Sequence, residues 1–248
     1  MITAEQLLAY RPTDLLLQDR VILITGAAMG MGRALSLACA AQGATVILLD
    51  KVIRELKAVY DAIEVAGSPQ PAIYPLNFEG ATAKDYQDLA NTLGEQFGRL
   101  DGVVHNAAWI GALTPLRLYE VEMWSRTLMV NLHAPFLLSQ AVLPLLEKAA
   151  DPAMVFSTHD CQKAYWGAFG VAKAGQDGLL KILAHEYQDQ PRIRINGVDT
   201  GPIKSALRAE HYPGEDADAL PSPEERIWPY LYFLGPDAGH TTGLNVRL

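Results

Sequence analysis

Cysteine is scarce. The two in 248 residues, Cys39 and Cys161, give neither a disulfide framework nor metal-ligand spacing. Cys39 lies in an Ala-rich stretch and reads as a small core residue, Cys161 as a loop residue. Positive charge is also in deficit, with 20 Lys and Arg against 28 Asp and Glu for a net charge of −8. That balance argues against nucleic acid or an anionic membrane as the main partner, though a pocket can still be locally basic. No uninterrupted apolar run approaches the ~18 residues of a membrane span. The opening MITAEQLLAYRP lacks the basic and then apolar regions of a secretory signal. Repeats, low-complexity tracts and linkers are missing as well. The expectation is one domain over residues 1–248, in a soluble cytoplasmic protein that handles a small molecule.

What is present is alternation. Strand-like runs occur at Val21–Thr25, Ala44–Asp50, Ala72–Phe78, Leu100–Asn106, Ala153–Thr158, Arg192–Val198 and the closing LNVRL. The first two are almost continuously apolar, as strands covered on both faces are. Ala- and Leu-rich segments of helical length separate the runs, the longest from Val121 to Lys148 with Pro144 near its end. This predicts an α/β fold, a doubly wound parallel sheet of about seven strands with helices on both faces. One stretch breaks the rhythm. Residues 201–223 are rich in Pro, Gly and acidic side chains, and they read either as a substrate lid or as a solvated loop.

After the first strand comes Thr25-Gly26-Ala27-Ala28-Met29-Gly30-Met31-Gly32. Glycines there let the chain turn sharply and let backbone N–H groups approach a pyrophosphate at a helix N-terminus. The second strand ends in Asp50, placed to accept bonds from the ribose hydroxyls of an adenosine.

The spacing TGxxxGxG resembles the short-chain dehydrogenase/reductase family, and the likeness runs from about Asp19 to Leu248. Further matches are HNAA (His105 to Ala108), Asn131 in VNLHAPF, Lys173, and DTGPIKS (Asp199 to Ser205). The resemblance implies a Rossmann-type oxidoreductase using NAD(H) or NADP(H). Cofactor contacts are expected from Thr25, Gly26, Ala28, Met29, Gly30, Met31, Gly32, Asp50, Asn77, Phe78, Asn106, Ala107, Ala108, Lys173, Gly201, Ile203 and Ser205. Asp50 favours NAD(H), because its carboxylate repels a 2′-phosphate; the adjacent Lys51 leaves NADP(H) open. Homodimers or homotetramers paired through the long helix and the helix of Lys173 are implied too.

The proton-transfer end departs from the family. There a Ser orients the carbonyl, a Tyr handles the proton, a Lys four residues on lowers the tyrosine pKa, and an Asn completes a water-linked path. Asn131 and Lys173 fit, but Phe169 stands at the tyrosine position and His159 at the serine position. Phenylalanine has no proton to give. Tyr165, eight residues before Lys173, would be roughly 12 Å away along a helix and so reads as a packing residue. His159 has suitable chemistry near neutrality, yet Asp160, its neighbour, points to the opposite face in an extended chain. His105 and His133 read as structural. Two hypotheses follow: an oxidoreductase acting on an alcohol or carbonyl with a non-standard proton donor, or a non-catalytic dinucleotide-binding sensor or scaffold.

Overall fold

The computed structural model describes residues 2–189 and 192–248. Its centre is a seven-stranded sheet in the order β3-β2-β1-β4-β5-β6-β7, every neighbouring pair parallel. The strands are β1 (Val21–Thr25), β2 (Thr45–Asp50), β3 (Ala72–Pro75), β4 (Gly102–His105), β5 (Ala153–Ser157), β6 (Arg194–Asp199) and β7 (Asn245–Arg247). Each was anticipated, but β3 and β4 are shorter than expected. Beyond Pro75 and His105 the chain leaves the sheet at its carboxyl rim, where Asn77 and Asn106 turn into the cleft. Side chains of β1 and β2 alternate between two buried clusters, one on each face of the sheet. That double burial explains why residues 21–24 and 46–49 are apolar without a break.

Helices α1 (Ala4–Ala9), α2 (Gly30–Ala41), α3 (Ile53–Val65), α4 (Ala83–Phe97), α7 (Gly167–Glu186), α8 (Ala206–His211) and α9 (Trp228–Leu234) connect and flank the strands. Local chemistry sets several boundaries. Thr82 and Asp85 form a reciprocal capping box that starts α4, and Gly98 at φ 77° ends it. The long helix differs from the sequence expectation. It is α5 (Val121–Leu128), a π-helical turn over Met129–His133, then α6 (Ala134–Leu146). At 26 residues, Val121–Leu146 has the length and apolar composition to cross a bilayer. Val130, Leu138, Val142, Leu145 and Leu146 are instead buried in the core cluster that also holds Leu89 and Leu93 of α4.

The amino-terminal rim of the sheet is tied by charge. The Asp151 carboxylate, just before β5, pairs with Arg20 before β1 and Arg194 at the start of β6. The Arg194 guanidinium is buried and also donates to the Phe233 carbonyl at 2.6 Å. Burial alone would raise the Asp151 carboxyl, but the two guanidiniums outweigh it and hold it below the ordinary range. The opposite rim carries the cleft, opening where the strand order reverses between β1 and β4.

Candidate active site

A cleft of about 370 Å³ runs from Asp50 at one end to His159 and Trp166 at the other. Its floor is the Gly-rich turn. Gly26 takes φ +68° and lies against Ala107, so a Cβ there would come within 2.9 Å of the Ala107 Cα. A Cβ at Gly32 would sit 1.9 Å from the Gly26 carbonyl oxygen. These two glycines let α2 begin directly against the end of β1. Gly30, at φ +52°, has only the Ser205 Cβ near its own missing Cβ, at 3.8 Å, which leaves a cradle above the helix start. No side chain caps α2, because Met29 occupies the N-cap. Its first N–H groups and dipole therefore face the cleft, the arrangement that suits a pyrophosphate.

At the adenosine end, Asp50 accepts from the Ala28 N–H at 3.3 Å and the Val52 N–H at 3.1 Å, and it still lines the cleft. Lys51 is held 2.6 Å from Glu79, and Arg126 reaches the same carboxylate at 2.9 Å. Asn77 and Phe78 form part of the wall, as do Gly26, Met29, Gly30 and Met31 of the turn. Asn106, Ala107 and Ala108 line the middle, with Gly201, Ile203 and Ser205 along the far side.

Three residues expected at the cofactor stand behind the wall instead. The Thr25 hydroxyl donates to the Val104 carbonyl and accepts from the Asn106 and Ala107 N–H groups, which fixes the β4 loop against β1. Ala28 and Gly32 are packed into the turn. Their part is to shape the surface from behind, Gly32 because its missing Cβ faces the Gly26 carbonyl and Ala28 because it is buried in the core cluster under the turn.

At the other end the structure gathers Lys173, Phe169 and His159. Lys173 is buried, and its Nζ donates to the Ser157 carbonyl at 2.6 Å and to Gln176 Oε1 at 3.0 Å. Burial pushes its ammonium down to about 8, and the nearby Cys161 and Asp199 partly oppose that shift. The Phe169 ring lies 5.6 Å from that Nζ, on the same face of α7 one turn earlier. Tyr165 does not stand in for it. It is exposed, at φ 76°, outside α7. Asn131 lies in the π-helical turn, off the cleft wall, and its amide is used up. It accepts from the Trp109 N–H and donates to the Trp109 and Thr127 carbonyls, so its side chain is a brace for the β4 loop rather than a free relay group.

His159 has a partner the sequence reading missed. Its Nδ1 is 3.1 Å from Oδ1 of Asp199, and Asp160 points elsewhere, to Arg247. Asp199 also accepts the backbone N–H groups of Asp160 and Gly201, both at 2.9 Å. Burial would raise this carboxyl, but His159 and the two N–H groups hold it below the usual carboxylate range. The signal was positional. Ser157 of β5 stands opposite Val198 of β6, so the residues just past each strand end are neighbours. Tyr230 was also missed; it is buried from α9, lines the cleft, and its hydroxyl lies 2.9 Å from Ser157 Oγ. His105 is structural in the sense expected, stacked on Phe156 and bonded to Ser139.

The irregular stretch after β6 closes this end. Ala206, Leu207 and Arg208 of α8 line the cleft, and Leu207 packs on the small buried cluster of Ile110, Cys161 and Phe169. The His211 ring sits between the Leu207 and Gly111 carbonyls, at 3.0 and 3.2 Å, and joins α8 to the β4 loop.

Known proteins share this arrangement. The short chain dehydrogenase family model matches residues 20–216. The uncharacterized oxidoreductase YciK of Escherichia coli K12 is 36% identical over 239 residues, covering 95% of this chain and 94% of that one. A short chain dehydrogenase structure from Pseudomonas syringae superposes with a TM-score of 0.94 at 41% identity, covering 96% of this chain and 98% of that one. One from Escherichia coli CFT073, in complex with NADPH, gives 0.92 at 36% identity, covering 95% of this chain and 99% of that one. With the sheet order, the glycine cradle and these relatives in agreement, the chain belongs to the short chain dehydrogenase family of oxidoreductases, which work with a pyridine nucleotide.

Proposed function

We propose that this protein reduces a carbonyl, or oxidises the corresponding alcohol, with His159 as proton donor and acceptor. The observation that carries the proposal is His159 on the cleft wall, backed at Nδ1 by the buried Asp199 and set beside a Phe169 that cannot do the tyrosine's work. A nicotinamide held in this cleft would supply the hydride for reduction of the carbonyl carbon, or accept it in the reverse direction. His159 gives a proton from Nε2 to the carbonyl oxygen during reduction and takes the hydroxyl proton back during oxidation. Asp199 fixes the ring by its Nδ1 and compensates the charge of the imidazolium. Lys173, with two N–H groups already bound, has one left for a cofactor hydroxyl and adds positive potential at the reacting end.

On the cofactor, Asp50 supports NAD(H), since Lys51 is already paired with Glu79. The relatives' complexes with NADP and NADPH support a second reading, in which Lys51 leaves Glu79 to meet the 2′-phosphate. For assembly, the exposed Phe136 of α6 and Val171 and Ile182 of α7 support a homo-oligomer.

The test is carbonyl reduction followed at the nicotinamide absorbance, in the parent and in His159→Phe. Loss of a general acid costs about 10²–10⁴-fold in rate, and cofactor affinity should stay level. Equal rates in the two proteins would remove His159 from the chemistry. Cofactor binding with no turnover of any carbonyl would favour the sensor or scaffold reading, which the missing Phe169 hydroxyl supports.

A further inference from the structure

The His159 end of the cleft has a consistent wall chemistry. Trp166 and Phe169 lie side by side, with ring centroids 5.8 Å apart and planes tilted by 33°. The His159 ring meets Trp166 edge-on at 5.3 Å, so the proposed acid is mounted on the aromatic wall. Ile110 and Leu207 complete the lobe with aliphatic surface, and Leu207 arrives on α8. Replacing a tyrosine hydroxyl by the Phe169 ring edge removes the polar group most expected there.

Among the described residues, the two cations lining this lobe are Arg208 and Lys173, and both are engaged, the last N–H of Lys173 being the one assigned to the cofactor. Arg208 lines it, but its guanidinium is committed to both carboxylate oxygens of Glu215, at 2.6 and 2.7 Å, and lies 3.6 Å over the Tyr212 ring. Lys173 is turned to Ser157 and Gln176. His159 faces the Asp199 carboxylate, which adds negative potential where a substrate anion would sit. A carboxylate or phosphate on the substrate would be desolvated here without a partner, which is costly. A flat apolar ring, by contrast, stacks on the half-buried Trp166 and meets the edge of the buried Phe169, and gains both burial and stacking.

We infer that the substrate is an uncharged cyclic ketone or secondary alcohol, its ring laid against Trp166 and Phe169 and its oxygen toward His159. This rests on the assignment of the His159 end as the reacting end.

Binding tests it without requiring turnover. Calorimetry with cofactor at saturation would compare three probes: cyclohexanone, hexan-2-one and 4-oxocyclohexanecarboxylate. Cyclohexanone is expected to bind about tenfold tighter than either of the others. Trp166→Ala should erase the preference for the ring over the open chain. Glu215→Gln, a change at a partly exposed ion pair, should leave cyclohexanone affinity level and improve the carboxylate's about tenfold by releasing Arg208. Equal or tighter binding of hexan-2-one or of the carboxylate by the parent, or no ring binding at all, would overturn the inference. Ring preference without reduction would leave the apolar ring site standing and take the proposed chemistry at His159 away.

Discussion

His159 Nδ1 and Asp199 Oδ1 meet at 3.1 Å across 40 residues of chain, bridging the ends of β5 and β6. Asp199 is held by three donors in all, so the ring orientation is set by the sheet itself and not by a loop side chain. Replacing Asp199 with Asn keeps the size and removes the charge. Reduction should fall by about 10- to 100-fold with cofactor affinity unchanged, because the imidazolium formed in the reaction loses its anion. A purely structural role would lower cofactor affinity and rate together.

Phe169→Tyr places a phenol one helical turn from Lys173, whose ammonium is buried and pushed down to about 8. With Lys173 already in place, the variant should reduce activated carbonyls at least about tenfold faster than the parent. No gain, with cofactor binding intact, would show that the site cannot use a phenol at that position.

The adenosine end gives a ranking by melting temperature. NADH is expected to shift the parent's Tm more than NADPH does at equal concentration, because Asp50 lines the cleft and repels a 2′-phosphate. Asp50→Ala should invert the order. A parent that prefers NADPH would assign Lys51 to the phosphate instead.

Two alanine substitutions separate close packing from backbone strain. Gly32→Ala drives a methyl into the Gly26 carbonyl at 1.9 Å, and should cost about 3 kcal/mol and abolish cofactor binding. Gly30→Ala meets only an ordinary contact with the Ser205 Cβ at 3.8 Å and pays for its φ of +52°, about 1 kcal/mol. Urea titrations of both variants check the difference; equal losses would contradict the packing described.

Acid should weaken the fold through His105. Burial, helped by Lys173, pushes its ring from 6.5 down to about 3. Between those values the unfolded chain holds a proton that the folded chain does not, so stability falls as pH drops from 6.5 toward 3. His105→Asn removes that contribution. Urea midpoints at pH 7, 5 and 4 should converge on, or cross, those of the variant as pH falls. Parallel curves would show that His105 is not the source.

Much of this was readable from the residues, and the part that was not has a common cause. The strands announced themselves because burial on both faces leaves only apolar residues in the interiors of β1 and β2, residues 21–24 and 46–49. The glycine turn was equally plain, since Gly26 and Gly32 answer contacts only a few residues away or across one strand end. Asp199 was quoted in a motif but given no partner, because pairing it with His159 requires the register of β5 on β6. Asn131 was legible as a position, but its bonds to Trp109 and Thr127, made from a π-helical turn that leaves no mark in the sequence, needed the fold. So did the burial of Thr25 and Ala28 behind the cleft wall, because a turn's sequence does not say which way its residues face.

The shared carboxylate of Asp151 has a consequence for how the molecule can move. One acidic group clamps the starts of β1, β5 and β6, and breaking it would strand a buried guanidinium. That edge behaves as a hinge plate, with little freedom of its own. Adjustment on ligand entry is left to the opposite edge, where α8 meets the loop after β4 through the His211 ring and the packing of Leu207 on Ile110. The sheet thus has an anchored side and a working side, and the division is written in charge at one end and in loops at the other.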